Sequence, residues 1–275
     1  RNHSLNRVAE INLERLGDPK AALTVWRKTL SYDGRSEDAR SGLRILLDEP
    51  GVSKEAYRLL IDVLSREGEW KECAHVWERK AFGVEDPEER QAALFEVAKI
   101  RGYRLGRLTE GHDWAERAVL ATDATPATLA AYVEVMRGMD GRDATARVLM
   151  SIGKQTPSLS IEITRLCLAN GYFHDELHGV FQCALAAEAS GLQEVLDGLA
   201  SEFQAAERSP ELLRILDGAA SMAESDPLKV RLLDRAAQCA SSLTNGVLSA
   251  VVYWKQMTAI PCGEKKGWLS LFIHG

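Results

Sequence analysis

His174-Asp175-Glu176-Leu177-His178 is the one run whose residue types and spacing resemble a catalytic motif. Two histidines four positions apart share a helix face and can hold a metal ion. In zinc peptidases a glutamate directly after the first histidine serves as general base. Here that place holds Asp175, one methylene shorter, and Glu176 comes one position late. No third ligand is evident. The plainer expectation is an exposed helix start whose acids are favoured by the helix dipole. A metal-binding protein or metallohydrolase centred on His174 and His178 is the alternative reading. Neither GxGxxG nor GxxxxGK(S/T) occurs, and no GxSxG nucleophile turn is present, so no cofactor is implied. The five cysteines, Cys73, Cys167, Cys183, Cys239 and Cys262, form no CxxC pair. They read as small buried apolar residues of a chain kept in a reducing compartment, the cytoplasm. No secretory leader is visible. That bears little weight, because the chain starts at Arg1 without an initiator Met.

Of 275 residues, 45% are hydrophobic and 27% charged, a globular composition. With 34 basic and 40 acidic residues the net charge is −6, which argues against a chain-wide grip on nucleic acid. The charge is uneven. Between Gln155 and Ala206, Arg165 is the sole base, beside Glu162, Asp175, Glu176, Glu188, Glu194, Asp197 and Glu202. The longest uncharged run, Ala236 to Trp254, holds too many polar residues to span a membrane. It reads as two helices with a turn at Thr244-Asn245-Gly246.

What must position any site is helical. Ala, Leu, Glu and Arg fill segments separated by short breaks such as Gly17-Asp18-Pro19, Asp86-Pro87, Ser209-Pro210 and Asp226-Pro227. An acid, Ser or Thr before Pro is a helix cap, and Gly ahead of it ends the previous helix. Gly17, Gly34, Gly51 and Gly68 fall at a constant interval of 17 residues, one helix plus a connection. Val8-Ala9-Glu10-Ile11 with Arg15-Leu16-Gly17 recurs as Val97-Ala98-Lys99-Ile100 with Arg104-Leu105-Gly106. A weaker copy sets Ala250 and Trp254 where the first has Ala22 and Trp26.

The run Gly17 to Leu30, through Asp18, Ala22 and Trp26, resembles the second half of a tetratricopeptide repeat, with Thr29 in place of the last Ala. Gly68-Glu69-Trp70 through Cys73 and Trp77 is similar, with Cys for Ala. The terminal Pro of the repeat is missing after the first copy, where Gly34 stands. The resemblance implies an all-α, right-handed superhelical solenoid of about 14–16 helices. Its expected parts are repeats over 1–123, divergent repeats over 124–260 and a non-repeat tail over 261–275. It also implies a non-enzymatic scaffold that binds a protein segment in a concave groove. Aligned on their glycines, the copies put Arg15, Arg66 and Arg104 at one position and Arg7 and Arg58 at another. In such repeats these positions face the groove, so the five arginines are the candidate contacts for an acidic partner. Ile11, Asp62 and Ile100 stand where the carboxylate clamp of chaperone-binding members has an Asn, so a chaperone tail is not expected. The stretch Glu188 to Glu202 of a second copy, in a homo-oligomer, is another acidic candidate.

Overall fold

The structure is a computed structural model. It describes residues 2–171, 177–186, 192–205, 207–243, 247–264, 266, 267 and 270. Among the described residues there are fifteen α-helices and no strand. The chain divides into two compact units, residues 1–123 with 134–140, and residues 124–133 with 141–275. The breaks terminate helices as their chemistry requires. Asp18 accepts a hydrogen bond from the Ala21 N–H at 2.9 Å with Pro19 opening the helix, and Asp86 accepts from Glu88 and Glu89 with Pro87 doing the same.

The first unit contains α1 (Asn2–Glu14), α2 (Pro19–Tyr32), α3 (Glu37–Leu46), α4 (Ser53–Glu67), α5 (Trp70–Gly83), α6 (Pro87–Lys99) and α7 (Leu108–Leu120). Within this unit, consecutive helices pack on one another from α1 through α7. Polar bridges tie every second helix into a row. Asn6 on α1 donates to Asp38 on α3 at 3.1 Å, and Arg44 on α3 donates to Glu72 on α5 at 2.9 Å. Phe82 on α5 meets Trp114 on α7 edge-on at 6.3 Å. The other row runs α2, α4, α6 through Arg27–Glu55 and through Lys54–Glu89 at 2.9 Å. Nearest-neighbour packing with a lateral row on each side is how a helical-repeat stack buries its apolar stripes.

The expected hairpin packing is present in the first copy. Ala22 is fully buried and Trp26 is 2% exposed. The ring fits because Gly42 on α3 has no side chain: a Cβ there would overlap Trp26 Cε2 and Cζ2. Ala250 and Trp254, the weaker copy, are also buried. Trp77 differs, being half-buried with the Lys80 ammonium 4.7 Å from its ring centre.

The two related ends agree bond for bond. At the first, the N–H of Leu16 reaches Ile11 O and that of Asp18 reaches Asn12 O. At the second, Leu105 reaches Ile100 O and Arg107 reaches Arg101 O. Gly17 and Gly106 carry the positive φ, 62° and 66°, that lets the chain leave the helix there. The second end is further modified, with Ile100–Arg104 forming a π-helical turn. Gly102 and Gly111 face each other, and a Cβ on Gly111 would stand 2.9 Å from Gly102 Cα. Met139 Sδ covers both glycines.

The second unit contains α9 (Arg142–Gln155), a 3-10 turn (Pro157–Leu159), α10 (Ser160–Asn170), α11 (His178–Ala186), α12 (Leu192–Ala205), α13 (Ser209–Met222), α14 (Asp226–Ser241) and α15 (Val247–Thr258). Between α7 and α9 runs α8 (Pro126–Arg137), divided between the units. Lateral bridges recur: Arg165–Glu194 at 3.4 Å joins α10 to α12, and Arg235–Asp197 at 3.2 Å joins α14 to α12. Helices α14 and α15 replace the long uncharged run, and no helix among the described residues is long and apolar enough to cross a membrane. After α15 the chain folds back. Gly263 and Gly267 are buried, each where a Cβ would press on backbone of α15, and Lys266 pairs with Asp234 at 2.7 Å. Trp268, Leu269 and 271–275 lie outside the described residues.

All five cysteines are unbridged, and Cys73, Cys167 and Cys239 are buried. Burial pushes the Cys167 thiol up to about 12 and raises those of Cys73 and Cys239. The thiolate is the reactive form, so buried thiols are inert. Iodoacetamide applied to the native chain will therefore label exposed Cys262 first, and these three only on unfolding. Mass spectrometry of timed digests checks the order.

Candidate partner-binding site

His174 lies outside the described residues, as do Asp175 and Glu176. His178, at the start of α11, packs beside the rings of Phe181 and Phe203, 6.5 and 6.0 Å away, which also meet each other edge-on. Its Nε2 is 3.6 Å from Glu211 Oε2, and Glu211 is also paired with Arg208. Among the described residues no three His, Cys, Asp or Glu side chains converge as metal ligands.

The five candidate arginines do not form one row. Arg7 lies on α1 and Arg15 just after it; Arg58 and Arg66 lie on α4; Arg104 ends the π turn after α6. Helix α1 belongs to the α1–α3–α5–α7 row, and α4 and α6 to the other. The cause is α3, a single helix between two hairpin copies, which gives α1 and α4 opposite places. The copies are also reversed in direction. Arg27–Glu55 and Arg35–Glu67 tie α2 and α4 in ascending order, so these helices run parallel. Arg15 thus lies level with the start of α4 and Arg66 with its end, about 20 Å apart for a helix of this length.

What the structure does bring together is a cleft on the α2–α4 row, about 360 Å³, lined by Arg27, Glu55, Arg58, Leu59 and Asp62. Glu55 holds Arg27, and Asp62 holds Arg66 at 2.6 Å. Arg58 is exposed and forms no ion pair among the described residues, so its guanidinium is available to a carboxylate. Farther along, Arg104 lies over the Trp70 ring at 4.8 Å. Arg27 was not among the sequence candidates. It falls inside the Trp26 helix motif, where the repeat pattern draws attention to the apolar positions alone.

A second arginine that the sequence does not single out is Arg101, in the π turn. Its guanidinium donates to Glu78 on α5 at 3.0 Å and to Glu110 on α7. Burial works against its charge, but the hydrogen bonds it donates to both acids, with their negative charge, outweigh that and hold its proton more tightly than usual. The Arg101 hydrogen bond also holds the Glu110 carboxyl below its ordinary value of 4.5. A carboxyl lowered on folding adds stability above its unfolded pKa and loses it as pH falls through the folded one. Arg101→Gln will therefore destabilise the chain at neutral pH, and the difference from wild type will shrink as pH drops below 4.5. Urea unfolding along a pH series checks this.

No family model matches the chain, and no curated protein matches it. Among solved structures it is similar to a circular tandem repeat protein with novel repeat topology and enhanced subunit contact surfaces. The alignment has 14% identity and a TM-score of 0.19, and covers 97% of this chain and 59% of that one. The chain spans 59% of that protein's length.

Proposed function

We propose that this all-α stack is a non-enzymatic scaffold that takes an acidic segment of a protein partner along the α2–α4–α6 row. The observation that carries the reading is the cleft at Arg27 and Arg58, where one guanidinium stands ready beside apolar Leu59. Arg66 and Arg104 continue the same row, and Arg7 and Arg15 fall outside it. A preformed helical face gives affinity without ordering the scaffold on binding. The tetratricopeptide resemblance of the first hairpin, whose Ala22 and Trp26 are buried, supports the reading. No observation among the described residues favours the metal reading.

The test is fluorescence anisotropy with a labelled peptide of alternating Glu and Leu, against the same peptide with Lys for Glu. The acidic peptide should bind, lose affinity as salt rises, and lose about tenfold on Arg58→Glu. Equal binding of both peptides, or indifference to Arg58→Glu, would refute the reading.

A further inference from the structure

We infer a second docking point on the α5–α7 face, built from Phe82, Trp114 and Arg117, for a protein segment that sets a large apolar side chain beside a carboxylate. It rests on the partner-scaffold reading but uses the opposite row of helices.

Phe82 is 73% exposed, far more than a phenyl ring needs to be in a chain with a buried core. It is not loose. Its ring meets Trp114 edge-on at 6.3 Å, a favoured arrangement of two quadrupoles. The indole is in turn fixed by two cations, Arg101 at 5.3 Å and Arg117 at 5.0 Å from its centre. The pair is held in register by the helices beneath it, because Glu78 and Glu110 stand one turn before Phe82 and Trp114 and share Arg101.

The two cations differ in what they have left to offer. Arg101 is saturated by Glu78 and Glu110. Arg117 is exposed and makes no ion pair among the described residues, although Asp113 stands four positions before it. A guanidinium held over a ring keeps its in-plane N–H donors open, in the fork that matches a carboxylate. The face therefore presents an ordered ring pair next to an ordered, uncompensated positive fork. Aromatic and arginine side chains of this kind are what dominate binding at protein interfaces. Charge complementarity selects the occupant: the apolar group covers Phe82, and an Asp or Glu nearby reaches Arg117.

The full chain would be used to select from a displayed library of random twelve-residue peptides, and the selected peptides labelled for anisotropy. The expected consensus pairs a large apolar residue with Asp or Glu within one helical turn. Binding should fall at least about tenfold on Phe82→Ser and on Arg117→Glu, less on Arg117→Lys, and stay unchanged on Arg58→Glu. That last result separates this face from the cleft. Both residues are on the surface, and an unchanged circular dichroism melt will show that the variants fold. The inference is overturned if the library returns no binder, if the consensus lacks the acid, or if Phe82→Ser leaves binding intact. It is equally overturned if sedimentation shows a wild-type dimer that Phe82→Ser dissociates, since the occupant is then a second copy.

Discussion

Trp26→Ala will lower the unfolding free energy by about 3–5 kcal/mol, through lost burial and the cavity left in place of the indole. The ring is 2% exposed and lies between Ala22 on its own helix and Gly42 on the next. Collapse around so large a void needs α3 to move, and α3 is tied on its far side to α5 by Arg44–Glu72. The same contact read from the other side makes Gly42→Ala costly, about 1–3 kcal/mol, because the new methyl overlaps the ring. The pair will not add. Once the indole is replaced by leucine, alanine at Gly42 should cost far less than it does in the wild type. Trp26→Phe should fall well short of Trp26→Ala, because the buried indole N–H has no hydrogen-bond partner among the described residues and its loss is harmless. Urea unfolding of the four single variants and the one double variant measures all of this.

The second large effect belongs to the glycine contact at the π turn. Gly111→Ala places a Cβ 2.9 Å from Gly102 Cα and 3.0 Å from its N. Those atoms are backbone inside a helical turn and cannot rotate away, so α7 must shift as a body. The cost is at least about 1–3 kcal/mol, as for other overpacked sites. Gly102→Ala meets the flexible Met139 side chain alone, whereas a Cβ on Gly111 meets both Met139 Sδ, at 2.6 Å, and the Gly102 backbone. Shortening that side chain should therefore rescue the two glycine variants unequally. Met139→Ala will relieve Gly102→Ala and only partly relieve Gly111→Ala. Thermal melts of the five variants decide it, and equal rescue of both would show that the methionine is the real barrier in each.

The all-helical class and its breaks were readable because they are local. Asp18-Pro19 and Asp86-Pro87 need no distant residue to cap a helix, and alanine with tryptophan four later marks a packed hairpin wherever it occurs. The arginine row was not readable. Equivalent sequence positions share a face only if an even number of helices separates the copies, and α3 makes the number odd between Gly17 and Gly68. Nor does anything in Arg101-Gly102-Tyr103 announce a π turn. The turn's glycine packs on Gly111 and Met139, neither of which is part of that run. The exposed ring pair was hidden for the same reason: Phe82 and Trp114 each look like ordinary helix aromatics until α5 and α7 are laid side by side.

The lone helix α3 also constrains how such a chain can grow. It changes the parity of the stack, so a hairpin duplicated ahead of it and the same hairpin duplicated behind it end on opposite rows. Two genes of equal length and equal composition would then encode differently charged faces, the outcome decided by where the copy landed.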